Sequence, residues 1–322
     1  MNFQTFFGLP DFKQQTMKKL KNFGATFWAS INEFIDSKVP KMSAALSYYT
    51  IFAMAPMLII IIKVSSVFAI GKPQDTIFHE ISGYVGPTAA KQIQSMIESA
   101  AISPSASIAS IVSVCALVFS ATGVFAEIQD SINIIWQLKP KPKKGWLKLL
   151  LNRLIGFSVL ISLGFILLVS LIISSIMDAL VARIIALFPD LNIILVFIIN
   201  YGLSFVVTLL LFSIIFKFLP DAKIKLRDVF SGALATTVLF ILGKFGIGYY
   251  LQHSKVGTMY GAAGSIIILL TWVYYSAMIL YFGATYTKVN ALRKNRKILP
   301  NEYAVWVEQV EMAHNPTTEK QD

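Results

Sequence analysis

The side chains best placed for chemistry in this chain are ionisable residues set within or beside long apolar runs: Lys63, Glu127, Asp130 and Lys244. A charge in hydrocarbon is costly, so such residues tend to face a partner, a watery path or a bound polar group. An apolar run begins at Val229, and Lys244 lies about 22 Å along it at helical rise. Lys63 reaches a similar depth in the run that starts at Ser43, and His253 and Lys255 come just beyond Lys244. These four form a candidate cationic cluster for the phosphate of an anionic lipid, because an ammonium is a compact point charge on a flexible stem. Tyr249, Tyr250 and Tyr260 are amphipathic neighbours in the same stretch. The competing reading is that each lysine snorkels to the interface and binds nothing. Glu127 and Asp130 fall near the opposite, cytosolic interface. There the charged turn DAKIKLRD (221–228) offers Lys225 or Arg227 as partners, with Asp228 beside them. Asn200 and Thr208 read more simply as interhelical hydrogen-bonding residues.

Other chemistry is missing. The histidines, His79, His253 and His314, are far apart, and neither His-x-His nor His-Glu-x-x-His occurs, which excludes the usual metallohydrolase ligand sets. There is no phosphate-binding Gly-x-x-x-x-Gly-Lys-Ser/Thr loop and no Gly-x-Ser-x-Gly nucleophile elbow. A single cysteine, Cys115, allows neither an intrachain disulfide nor a thiolate metal cluster. The chain is therefore read as a non-enzyme with no cofactor. Its net charge of +11 would suggest nucleic acid in a soluble protein. Here the basic residues sit between apolar runs and lack interleaved aromatics, so no nucleic-acid partner is expected.

The elements that must position these residues are membrane helices. Hydrophobic residues make up 56% of the chain and charged residues 14%, against about 25% charged in soluble domains; mean hydropathy is +0.66. Six apolar runs are long enough to cross a hydrocarbon core of about 30 Å: roughly 43–68, 106–125, 151–176, 191–216, 229–250 and 257–287. Pro56 is expected to kink the first. Trp136, after the second, is expected in the interfacial aromatic belt. Six Lys and Arg precede the first span, six lie in 139–153, four in 217–227 and six from Lys288 onward. The other side carries Lys72, Lys91, Arg183 and Lys255. This asymmetry orients both termini toward the cytosol. The fold class expected is all-α, a polytopic membrane protein with six transmembrane helices. Residues 1–41 form a cytosolic or interfacial amphipathic segment, 42–288 the transmembrane domain, and 289–322 a cytosolic tail. The first segment, with Leu20, Phe23, Phe27, Ile31 and Phe34 at helical spacing, suits either the membrane surface or the protein's own cytosolic face. The N-terminus lacks the basic and apolar regions of a cleavable signal, so the first span is expected to act as the insertion signal.

Two spans carry stripes of small residues. In the sixth, Gly257 and Gly261 open a face continued by Ser265, Ser276, Gly283 and Thr287, broken by Trp272; in the fifth, Gly232, Thr236, Gly243 and Gly246 match it. Small residues let helix backbones approach closely, which replaces the hydrophobic drive that lipid does not supply. The stripes are read as packing faces, with a substrate path along them as the alternative, and are compatible with a homo-oligomer.

Four stretches in order, AALSYYTIFAMAPML (44–58), INIIWQ (132–137), FLPDAKIKLRDVFSGAL (218–234) and YLQHSKVGTMYGAAGSIIILLTWVYYSAMILYFGA (250–284), resemble the YihY/BrkB family of bacterial inner-membrane proteins. The resemblance covers about residues 40–290. It implies six spans in the bacterial cytoplasmic membrane. Family labels include virulence factor and ribonuclease BN, and the chain has no metal-ligand set to support the latter. Some members are linked to export of envelope lipid or lipopolysaccharide, which implies a transporter. Family members often carry an acidic residue after Gly-Ala at the end of the sixth span, where this chain has Thr285. The expected activity is handling of an amphipathic envelope component, with membrane lipids, an anionic lipid or an envelope precursor as partners. The alternative is a scaffold that recruits envelope machinery through its basic cytosolic faces.

Overall fold

A computed structural model describes residues 12–67, 90–91, 94–95, 123–141, 192–253, 264–302 and 304–308. The third span, most of the second, and Lys255, Gly257, Tyr260 and Gly261 lie outside these residues. So do the side chains of Lys63 and Ser265, which are described as backbone only.

The described chain is mostly helical. Helix α1 spans Phe12–Asp36 and α2 spans Val39–Val67. They are separated by Lys38, whose left-handed φ of 55° turns the chain. Pro40 sits in the first turn of α2, where its missing N–H has no helical partner to lose. The next helical stretch, residues 123–135, is α3, and it ends at Gln137 with φ 57°. Helix α4 runs Asn192–Phe218, α5 Leu226–His253 and α6 Gly264–Arg293. Asn295, at φ 53°, stops α6, and the Arg296 N–H closes back on the Ala291 carbonyl at 2.9 Å. Asparagine tolerates that left-handed position better than most residues.

Two short antiparallel strand pairs add to the helices. Strand β1 (Leu138–Pro140) pairs with β4 (Ala304–Trp306), and β2 (Ala222–Lys223) with β3 (Leu299–Pro300). The segment after α6, expected as a plain soluble tail, thus doubles back across the ends of α3 and α4. Short as they are, the strands satisfy backbone groups that loops this close to a core would otherwise leave unpaired.

Helix α6 is the hub, packing on α1, α2 and α5, while α4 packs on α5. The core lies around its middle, where Ala277, Leu280, Tyr281 and Ala284 join Leu46, Ile128, Ile132, Trp136, Phe216, Val229 and Ala233 in one cluster. An aromatic ladder crosses three helices: Phe216 on Phe212, Phe212 edge-on to Phe240 at 5.6 Å, and Phe240 edge-on to Trp272 at 6.0 Å. The closest approach is between α5 and α6. A Cβ added to Gly232 would fall on the Thr287 hydroxyl, and one added to Gly283 would fall on the Thr236 hydroxyl and against the Phe216 ring. Both threonine hydroxyls donate back within their own helix, Thr236 to the Gly232 carbonyl and Thr287 to the Gly283 carbonyl, each at 2.7 Å. Each glycine therefore accommodates a threonine of the opposite helix. Each threonine also spends its donor locally, so no polar group is left unpaired in the contact.

The outer surface is apolar. Along α5 the large residues Leu226, Phe230, Leu234, Val238, Leu242, Phe245 and Tyr249 are exposed at helical spacing, while Gly232, Thr236 and Gly243 face inward. Hydroxyls inside and phenylalanines outside invert the soluble pattern and fit a lipid surround. Among the described residues, Leu226–Leu251 and Ile266–Arg293 are long and apolar enough to cross a membrane, with mean hydropathies of 1.6 and 1.9.

Gly283→Ala is expected to lower stability by roughly 1–3 kcal/mol, because the clash is with a fixed threonine and a core ring. Alanine is otherwise favoured over glycine in a helix by about 1 kcal/mol. Gly243→Ala should cost less, since the Cβ would meet the far end of the Tyr275 ring, which can swing aside. Thermal unfolding in mild detergent checks both; equal melting temperatures for the two variants would show that the contact is not tight.

Candidate functional site

Among the described residues, two regions gather the charged groups singled out by the sequence. The first is the end of α5 remote from the strand pairs. Lys244 is half-buried, with its ammonium 5.8 Å from the centre of the Phe245 ring. One residue earlier, Gly243 is buried against Tyr275 of α6. Further along, Tyr249 and Tyr250 are exposed, and the His253 ring lies 4.1 Å from the Tyr249 ring. His253 Nδ1 is 2.9 Å from the Tyr249 carbonyl oxygen. A carbonyl only accepts, so this contact requires a proton on Nδ1 and leaves Nε2 directed elsewhere. Lys244, Tyr249, Tyr250 and His253 therefore share one end of one helix. Whether Lys63, Lys255 and Tyr260 join them lies outside the described residues and side chains.

The second region is the opposite end of the bundle, where α3, the turn between α4 and α5, and the end of α6 converge. Asp221 is its organiser. Its carboxylate accepts from Asn133 Nδ2 at 3.0 Å and Gln129 Nε2 at 3.2 Å, and its own N–H donates to Asn133 Oδ1 at 2.9 Å. This reciprocal pair fixes the turn onto α3. Trp136, expected in an interfacial belt, is instead buried, and its indole N–H donates to the Ala284 carbonyl at 2.9 Å. The indole has a partner there because a helical carbonyl keeps a second lone pair. Asp228 is only 2% exposed and pairs with Arg296 at 2.7 Å, while Arg227 is exposed. Lys288 is likewise buried, paired with Glu33 of α1 at 2.6 Å. Around it, Phe27 and Phe34 flank Phe282, and Arg293 donates to Thr26 Oγ1 at 3.2 Å. Between Thr26 and Phe34, α1 is thus packed on the protein itself. Ser276, on the small stripe, is half-buried and donates to the Trp272 carbonyl at 2.9 Å.

Glu127 has Lys225 or Arg227 as its expected partner. It instead accepts from Ser131, one turn along its own helix, at 3.3 Å. Burial pushes its carboxyl above the usual carboxylate range; the Ser131 hydrogen bond opposes this and the neighbouring Asp130 adds to it. Asp130 itself is exposed. Asp221, Asn133 and Arg296 were not singled out in the sequence. Asn133 and Asp221 do lie within two of the four stretches that carry the family resemblance, INIIWQ and FLPDAK.

Apolar faces outside, hydroxyl-lined contacts inside and spans of membrane length define an α-helical integral membrane protein. The chain belongs to the BrkB virulence-factor family, whose sequence model matches residues 30–304. It is 26% identical to a UPF0761 membrane protein of Mannheimia succiniciproducens over 86% of this chain and 92% of the relative. A UPF0761 membrane protein of Haemophilus influenzae is 24% identical over 83% and 94% of the two chains. One from Pseudomonas paraeruginosa is 27% identical over 79% of this chain and 59% of that longer protein. A ribonuclease-like protein of Bacillus subtilis is 33% identical over 32% of this chain and 37% of its own. These relatives make it a bacterial membrane protein. No solved structure matches it.

The Glu127 environment predicts a pH signature. A carboxyl whose folded value is raised binds its proton more tightly when folded, so it lowers stability as pH rises through the ordinary carboxylate range and the raised value. Glu127→Gln keeps an acceptor for Ser131 and removes the ionisation. Its melting temperature relative to the parent should therefore rise from acid to neutral pH. A difference that is flat with pH would place the carboxyl in water.

Proposed function

We propose that this is a six-span protein of the bacterial cytoplasmic membrane, with both termini in the cytosol. In this reading it moves or handles an amphipathic anionic envelope component, such as a lipid, without catalysing a reaction. The observation that supports the reading is the far end of α5: a half-buried lysine over Phe245, with Tyr249, Tyr250 and His253 exposed further along the same helix, whose outer face carries large apolar residues. A cation partly withdrawn from water gains most from an anion that reaches it through the same apolar surroundings, as a lipid phosphate does. Exposed tyrosines suit the boundary between headgroups and acyl chains.

A scaffold role has one observation in its favour. The turns after α3 and α4 are tied to the returning tail by β1–β4 and β2–β3, which makes a shaped surface where loose loops would be expected. A transporter should move lipid after purification into liposomes, whereas a scaffold should do nothing alone and co-purify with a partner.

The direct test replaces Lys63 and Lys244 by Gln, singly and together, and measures anionic-lipid binding by the purified proteins. Binding should fall in each single variant and fall further in the double variant at unchanged melting temperature. Unchanged binding in the double variant would return both lysines to snorkelling.

A further inference from the structure

At the end of α5 opposite Lys244, the turn between α4 and α5 borders an open cleft of about 450 Å³ lined by Lys217, Phe218, Pro220, Lys223, Lys225 and Asn301. Three cations line it and no carboxylate does. Of the nearby acids, Asp221 turns inward to Asn133 and Gln129, Asp228 is taken by Arg296, and Glu302, beside Asn301, is exposed and does not line the cleft. Lys217 is held in place by a 2.7 Å hydrogen bond from its ammonium to the Ile224 carbonyl, which leaves two of its three protons to point elsewhere. Lys223 and Lys225 are exposed on either side of Ile224. Strand β3, paired with β2, fixes the far wall, and the Asn301 N–H donates to the Asp221 carbonyl at 3.0 Å. A second hollow of about 290 Å³ adjoins it, sharing Ile224 and Lys225 and adding Lys297. The apolar rim gives the level in the bilayer. Phe218 is 64% exposed at the end of α4, and Leu226 is 68% exposed at the start of α5. Both helices enter lipid from here, so the cleft sits where phosphates of the facing leaflet lie.

We propose that this cleft is a second anion site, on the cytosolic side, that holds the phosphate of an anionic phospholipid between Lys217, Lys223 and Lys225. A basic turn would serve orientation equally well with its lysines pointing into open water. These three instead line one open cleft beside exposed phenylalanine and leucine, which matches a headgroup with its acyl chains attached. The site is independent of the Lys244 end and requires no transport.

The test measures binding of dioleoyl phosphatidic acid to the purified full-length protein in a neutral detergent, with dioleoyl phosphatidylcholine as reference and glycerol 3-phosphate as the soluble arm. It is run on the parent chain and on the Lys63→Gln/Lys244→Gln background, so that the other end does not contribute. Lys223→Gln/Lys225→Gln alters two exposed side chains outside the described hydrogen bonds and should weaken phosphatidic acid binding roughly ten-fold; adding Lys217→Gln should weaken it further. Lys139→Gln/Lys141→Gln/Lys294→Gln removes three exposed charges from the same end and should leave binding within about two-fold. Equal losses in the two sets, or none in the first, overturn the proposal. Competition by glycerol 3-phosphate at concentrations comparable to the lipid would assign the cleft to free phosphoesters and overturn its lipid character.

Discussion

The contact between α5 and α6 at two glycine–threonine pairs sets the position of everything around it. In lipid, apolar side chains gain little by meeting each other, so helix association relies on close packing and on hydrogen bonds that leave nothing unpaired. Gly232 against Thr287 and Gly283 against Thr236 satisfy both demands. The pairs also fix an antiparallel register that continues outward. Asn290 donates to Ser231 Oγ at 3.0 Å, and Arg296 reaches Asp228 at 2.7 Å. Position rises on one helix as it falls on the other, until the left-handed turn at Asn295 sends the chain back over the bundle end.

The remaining elements attach to the same stretch of α6. From Gly283 to Ala291 every residue is buried. The helix is screened by α5 on one side, by α1 through Glu33–Lys288 and the Phe27–Phe282–Phe34 cluster, and by α3 through Trp136 on the Ala284 carbonyl. A buried lysine carries a desolvation cost of several kcal/mol unless it is paired and hydrogen-bonded. Lys288 therefore specifies where α1 docks more than it adds net stability. The same holds for Asp228 and Arg296. One end of the molecule is in consequence densely specified, while α5 at its far end carries an open, cationic and aromatic surface.

What the sequence reveals follows from the range of each signal. Small residues recurring every four positions mark Gly232, Thr236, Gly283 and Thr287 before any partner is known, because the period belongs to the helix itself. The strand pairs leave no such mark. Leu138–Pro140, Ala222–Lys223, Leu299–Pro300 and Ala304–Trp306 are two or three residues long, too short for an alternating pattern, and two of them contain proline. Trp136 is misplaced by sequence reasoning because a tryptophan at the end of an apolar run looks the same whether it faces headgroups or a core. The deciding partner is the Ala284 carbonyl, 148 residues away. Partners for charges are similarly remote: Asp228 prefers Arg296 across the bundle to a neighbour in its own turn, because Arg296 is delivered by the cap of α6. At the far end of α5, Lys244 is visible as a charge within an apolar run, and its aromatic company is visible as adjacent letters. That Lys217, Lys223 and Lys225 line one cleft depends on the fold of the turn and on strand β3.

Both proposed anion sites derive their meaning from the side of the membrane on which they lie. The densely packed end is assigned to the cytosol because lysine and arginine concentrate there, and the Lys244 end to the opposite face. Reporter fusions at Pro142, Lys223 and Lys294, set against fusions at Asp75, Asp190 and Ser254, test that assignment most directly. The first three should report the cytosol and the last three the opposite side; inversion at any two positions would contradict the six-span arrangement on which the account stands.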